Sequence, residues 1–224
     1  STVLSSIPVA SPGSLLNCQY FQRIPRRSPR RLLDRNGQAI GFWTPETHRM
    51  YLADEAWPDL GTYFEEESLA IVPLGSTEQH GPHLPEGTDH MIAEALAREV
   101  ADRTGYLCTP TINVGVSPHH RQFHGTMWVD APVFRDYVES FSRNLTYHGI
   151  DRIVYVNAHG GNIEHLREVG RRLHETETAY AIEWMWDESI PDLVDDLFEH
   201  NGPHGGPKET AMIMHIANEL VHDD

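Results

Sequence analysis

Lysine is almost absent from this chain: of 17 basic residues among 224, only Lys208 is not an arginine, and they face 33 acidic residues for a formal net charge of −16. So acidic a chain does not favour nucleic acid or an anionic membrane surface as a partner. Carboxylates in excess with lysine depleted suit a protein kept soluble at high salt, where self-repulsion is screened. An acidic protein from a GC-rich genome is the alternative reading. Cysteine is nearly as scarce. Cys18 and Cys108 lie far apart and form no CxxC pair, so neither a disulfide framework nor a thiolate zinc site is implied. A reducing, cytoplasmic setting is expected. No apolar run reaches the roughly 20 residues of a membrane span, and no basic-then-apolar leader opens the sequence.

The length suits one domain with a substantial core. Residues 1–40 stand apart: six arginines (Arg23, Arg26, Arg27, Arg30, Arg31 and Arg35) accompany a single acid, Asp34, before position 36. This segment reads as an accessory arm, and 41–224 as the functional domain; an RNA-binding role for the arm is the lesser reading.

From Leu69 the text alternates between strands and helices. Leu69 to Leu74 is a short continuous apolar run, as in a strand buried on both faces. Thr88 or Asp89 opens a helix with Ile92, Ala95, Leu96 and Val100 at helical spacing and Gly105 as its stop. The stretch Thr111 to Val116 reads as a strand, and Phe134, Tyr137, Val138, Phe141 and Leu145 mark one face of a helix ended by Gly149. Arg152 to Val156 is a further strand, Leu166, Val169, Gly170 and Leu173 lie on a helix, Thr178 to Trp184 form a strand, and a last helix covers Glu209 to Leu220. Such alternation predicts a mostly parallel sheet covered by helices on both faces, with ligands beyond the carboxyl ends of the strands.

Four loops carry the chemistry. The first, GSTEQHGPHLPEGTD over 75–89, sets Glu78, His80, His83 and Asp89 among glycines and prolines that fix the turns. Residues two apart in an extended segment project to one side, so Glu78 and His80 can converge on a metal, and Asp89 returns to them after the Pro85 to Thr88 turn. Imidazole with carboxylate suits zinc, manganese or iron better than calcium or magnesium. Taken alone, this run reads more readily as a polar loop than as a site. The second, NAHGGN over 157–162, places His159 just past a strand, followed by glycines that allow close backbone approach; a plain βα turn is its other reading. The third, SPHHRQFHGT over 117–126, holds His119, His120 and His124, which bind substrate, supply an acid, or merely decorate a surface turn. The fourth, HGGPKET over 204–210, puts His204 and Glu209 around a helix start, where Glu209 also suits the helix dipole. Histidine beside glycine in every loop, three of them after expected strands, favours a metal hydrolase.

These four segments, in this order from about Leu69 to Leu220, closely resemble the signature segments of the creatininase (creatinine amidohydrolase) family. The resemblance implies a three-layer α/β/α sandwich, a pair of divalent ions (zinc, iron or manganese), hydrolysis of amide C–N bonds, and a homo-oligomer, often a hexamer. It places metal ligands on Glu78, His80, Asp89 as the bridge, and His159. Creatininase itself has a glutamate two residues after the histidine matching His159. Here that residue is Gly161, which turns the reading away from creatinine and towards the branch that contains the archaeal formamide hydrolase of riboflavin and deazaflavin synthesis and the peptidase that trims the mycofactocin precursor.

In that branch Glu209 is the candidate to complete the second metal's shell. The expected chemistry is attack by a water activated between two divalent ions, with Glu209 or His204 moving a proton to the departing nitrogen. His120, His124, Gly125 and Thr126 are expected to meet a small amide substrate. The formamide hydrolase stands first among named activities, the precursor peptidase second, and a non-catalytic metal-binding family member third.

Overall fold

Two short antiparallel strands, β1 (Leu32–Leu33) and β2 (Ala39–Gly41), fall in a first unit, Ser1–Thr44, and all other elements in a second, Pro45–Asp224. The computed structural model describes residues 50–200 and 202–222 together with the backbone of those two strands. Most of the arginine-rich arm expected over 1–40, and Cys18 with it, lies outside the described residues.

The second unit begins with α1 (Trp57–Glu66) and then builds a four-stranded sheet from β3 (Leu69–Leu74), β4 (Leu107–Cys108), β5 (Arg152–Asn157) and β6 (Tyr180–Met185). All its pairings are parallel, in the order β4-β3-β5-β6. Each connection carries a helix: α2 (Thr88–Thr104), α3 (Ala131–Tyr147) and α4 (Ile163–Glu175). Beyond β6 come α5 (Pro191–Leu197) and α6 (Pro207–Ala217), the latter extended by a 3-10 turn, Asn218–Leu220.

The two-residue period of the strands assigns the layers. Ala70, Val72, Leu74, Ile153 and Tyr155 face a core shared with Phe134, Val138 and Leu145 of α3 and Leu166, Val169 and Leu173 of α4. Ile71, Cys108 and Val156 point the other way, onto Ala97 and Ala101 of α2, and beyond them Ile92 and Ala93 meet Ile213 of α6. The architecture is the expected α/β/α sandwich. A side chain as deeply buried as Leu166 or Ile92 contributes about 1.5–3 kcal/mol by leaving water. Helix α2 stops where the sequence signals it: Gly105 takes φ 76°, and its N–H donates to Ala101 O, a left-handed cap that glycine adopts without strain. Among the described residues no helix is long and apolar enough to cross a membrane.

One expected element is absent. Thr111 to Val116 forms no strand, touching β3 only through an isolated bridge between Leu74 and Ile112. Its polar groups are committed elsewhere: Val116 N–H donates to Asn162 Oδ1, Thr77 Oγ1–H donates to Asn113 O, and Val129 N–H donates to Gly115 O. The segment is therefore extended but joins β3 only at Ile112, whose N–H donates to Pro73 O and whose carbonyl accepts from Gly75 N–H, while its other bonds tie it to loops. The strand between α2 and α3 is the two-residue β4 instead.

Candidate metal centre

The first motif leaves the carboxyl end of β3, and the second leaves that of β5, its hydrogen-bonded neighbour. Side chains of both loops therefore meet at one edge of the sheet, where Asp89, in the first turn of α2, returns to them. Asparagines hold the turns. Asn157 Oδ1 accepts from His159 N–H and its Nδ2 donates to His159 O, while Asn162 Nδ2 donates to Gly75 O and so ties the second loop to the first.

Five residues converge: Glu78, His80, Asp89, His159 and Glu209, none more than 5% exposed. They form two triads that share Asp89. Glu78, Asp89 and His159 offer ligand atoms within 4.8 Å of one another, and so do His80, Asp89 and Glu209. His159 Nδ1 lies 3.1 Å from Asp89 Oδ2 and 3.3 Å from Glu78 Oε1. His80 Nε2 lies 2.9 Å from Asp89 Oδ1 and 4.0 Å from Glu209 Oε1. Asp89 thus turns one oxygen to each imidazole.

The far nitrogen of each ring is spoken for. His80 Nδ1–H donates to Glu78 O at 3.0 Å, and His159 Nε2–H donates to Val116 O at 3.1 Å. A backbone acceptor behind a histidine fixes its tautomer and aims the opposite lone pair, as behind metal-bound imidazoles. The two aimed lone pairs face carboxylate oxygens, which are themselves lone pairs. Only a proton or a cation between them makes that arrangement favourable. Among the described residues, Glu78 Oε2 and Asp89 Oδ2 are moreover buried without a well-aligned hydrogen bond, a costly state for a carboxylate unless a cation satisfies it. The donor set therefore fits a pair of divalent ions.

Without them, protons take the cations' place. Burial opposes charge on both rings, but Asp89 outweighs it, lifting His80 to about 9 and, together with Glu78, His159 to about 10. Burial likewise opposes ionisation of Asp89, yet His159 and His80 hold it down at about 2. Glu209 goes the other way: burial pushes its carboxyl up against the pull of His80.

Glu209 stands where its two sequence readings meet, at a helix start and beside the histidine cluster. Its Oε2 accepts from Gly206 N–H at 3.3 Å, capping α6, while Oε1 faces His80. His204 and His120, both half-buried, stack with ring centroids 4.4 Å apart and lie over Glu78 Oε1 at 3.7 and 3.9 Å. His83 is outside the cluster; its Nε2 meets Thr210 Oγ1 at 3.1 Å and ties the first loop to α6. His124 is exposed, Gly125 packs beside the Glu86 side chain, and Thr126 is buried with its hydroxyl accepting from Gln79 N–H. The sequence reading gave no role to Gln79, whose amide reaches both His120 and His204. Its place between Glu78 and His80 was the one signal that could have marked it.

Gly161 has a steric reason. A Cβ there would stand 2.3 Å from Val116 O and 2.4 Å from His159 Nε2. No side chain fits this backbone, and the acid that completes the second triad comes from α6.

The chain belongs to the creatininase family of metal-dependent amidohydrolases, whose family model, described as creatinine amidohydrolase, matches residues 53–224. The mycofactocin precursor peptide peptidase of Mycobacterium ulcerans is 33% identical over 93% of this chain and 72% of its own length. The 2-amino-5-formylamino-6-ribosylaminopyrimidin-4(3H)-one 5'-monophosphate deformylase of Methanothermus fervidus is 31% identical over 65% of this chain and 54% of its own length. A creatininase crystal structure superposes with a TM-score of 0.70 at 23% identity, covering 78% of this chain and 74% of that one. Solved creatininases include manganese and zinc–zinc forms.

Proposed function

We propose that this protein is a dinuclear metal hydrolase that cleaves the amide bond of a peptide, with one ion held by Glu78, Asp89 and His159 and the other by His80, Asp89 and Glu209. The observation that carries the reading is Asp89, which turns one carboxylate oxygen to each of two buried histidines. When bound, the pair of cations supplies the polarisation of an amide carbonyl and the acidification of water that C–N hydrolysis needs near neutral pH. The chain's own residues do the rest. His204, over Glu78 and open to the mouth, carries a proton to the departing nitrogen.

The sequence alone put a formamide first and a peptide second. Two observations favour the peptide. The peptidase relative aligns along 93% of this chain against 65% for the deformylase. Exposed Phe123, whose ring lies 6.3 Å from that of His120, supplies an apolar surface beside the site. A homo-oligomer, a hexamer by family resemblance, belongs to the same reading.

The test is an assay of protein loaded with zinc or manganese, run on a Val-Tyr-ended peptide and on the formylaminopyrimidine nucleotide. Peptide cleavage is expected. Cleavage of the nucleotide alone would restore the formamide reading, and cleavage of neither by protein holding two ions per chain would contradict both.

A further inference from the structure

Gln79 sits between two residues of the metal centre, and its side chain meets two histidine rings that lie over Glu78. Gly81 N–H donates to Gln79 Oε1 at 2.9 Å, which fixes the amide so that Nε2 carries the hydrogens. That NH2 group lies 3.0 Å from His120 Nδ1. A donor at Nδ1 makes that nitrogen an acceptor, so the His120 proton resides on Nε2, the atom 3.9 Å from Glu78 Oε1.

His204 meets the same residue through its main chain. Its Nε2 lies 2.6 Å from Gln79 O and 2.9 Å from Gln79 Nε2. One ring nitrogen cannot donate to the carbonyl and accept from the amide at once. The carbonyl contact is the shorter, and a carbonyl can only accept, so His204 Nε2 bears the proton. His204 then shows its Nδ1 lone pair to Glu78 Oε1 at 3.7 Å.

We propose that Gln79 is a positioning residue, which makes His120 present an N–H and His204 a lone pair, side by side, to a substrate amide above Glu78. Both rings carry the proton on Nε2 but are turned end for end, so one stacked pair offers a donor and an acceptor. A scissile amide needs that combination: a donor for the carbonyl oxygen and a base that takes up a proton and passes it to the leaving nitrogen. The catalytic consequence rests on the amidohydrolase reading; the placement of the ring protons does not.

The experiment therefore reads the two separately, on the zinc-loaded full chain. Two-bond 15N–1H correlations are expected to show both His120 and His204 with the proton on Nε2. In Gln79→Glu, whose carboxylate accepts, His120 is expected to move its proton to Nδ1 or gain a second one, while His204 keeps its pattern because the main-chain carbonyl remains. In Gln79→Met, kcat on the peptide is expected to fall about tenfold, the scale of one hydrogen bond to a working group, with KM and zinc content unchanged. The loss should vanish when Gln79→Met is made in a His120→Phe background, since two residues acting through one step are not additive. A native His120 protonated on Nδ1 would overturn the proposal, as would a Gln79→Met loss that is undiminished without His120 or that tracks a loss of zinc. If neither substrate is cleaved, the ring protons alone decide it.

Discussion

His159 Nδ1 stands 3.1 Å from Asp89 Oδ2, an oxygen that accepts no well-aligned hydrogen bond among the described residues. The ring's other nitrogen donates to Val116 O. The pair is close enough to ligate a common cation, and without one a proton stands between them. The first prediction concerns stoichiometry. Asp89→Ala should lose both ions, His159→Ala only the ion shared with Glu78, and Glu209→Gln only the other. Metal analysis by mass spectrometry after zinc loading checks this, and each variant's activity should fall at least about a hundredfold.

Glu209 allows a separation of roles. Glu209→Gln keeps an oxygen to accept from Gly206 N–H, so thermal stability of the metal-free protein should hardly change. Glu209→Ala removes the cap as well and should cost about 1 kcal/mol. Denaturant unfolding of both variants without metal distinguishes the capping role from the ligand role.

The raised histidines set a pH dependence. In the metal-free protein His80 titrates at about 9 and His159 at about 10, both above the ordinary 6.5. Both therefore carry protons at pH 7, and metal binding must displace them. Calorimetry in buffers of different ionisation enthalpy should register proton release, with affinity rising by up to about a hundredfold per pH unit near neutrality if both protons leave. The same shifts fix the sign for stability. A pKa raised on folding contributes stability that is complete below pH 6.5 and is lost as pH climbs through 9 to 10. The melting temperature of the metal-free protein should fall across that window, and that of the loaded protein should not fall for this reason.

Gly161 gives a steric prediction. Gly161→Ala places a methyl 2.3 Å from Val116 O and should destabilise the protein by about 1–3 kcal/mol, the range for overpacking a closed site. Gly161→Glu should lose metal rather than gain creatinine hydrolysis. Unfolding and metal content of both variants check this.

Much of this was legible in the sequence because the signals were local. The apolar runs at Leu69 and Arg152 became β3 and β5, and Gly105 ended α2, since each depends on periodicity or on one residue's backbone freedom. Glu78, His80 and His159 were legible as types beside glycines past strand ends, and Asp89 and Glu209 as acids at helix starts. Thr111 to Val116 misled because β-branched residues favour extended backbone without saying who pairs with it, and Asn162, far along the chain, took the Val116 N–H. The helix Trp57–Glu66 offered little pattern, with Tyr63 its only buried residue. Gln79 was hidden for a different reason. Its role depends on two histidines 41 and 125 residues away, and no spacing rule reaches that far.

The most direct test is anomalous diffraction from crystals grown with zinc, collected on both sides of the zinc edge. The account predicts two peaks astride Asp89, one against Glu78 and His159 and one against His80 and Glu209. A single peak, or ions bound through His120 and His204 with Asp89 uninvolved, would contradict it.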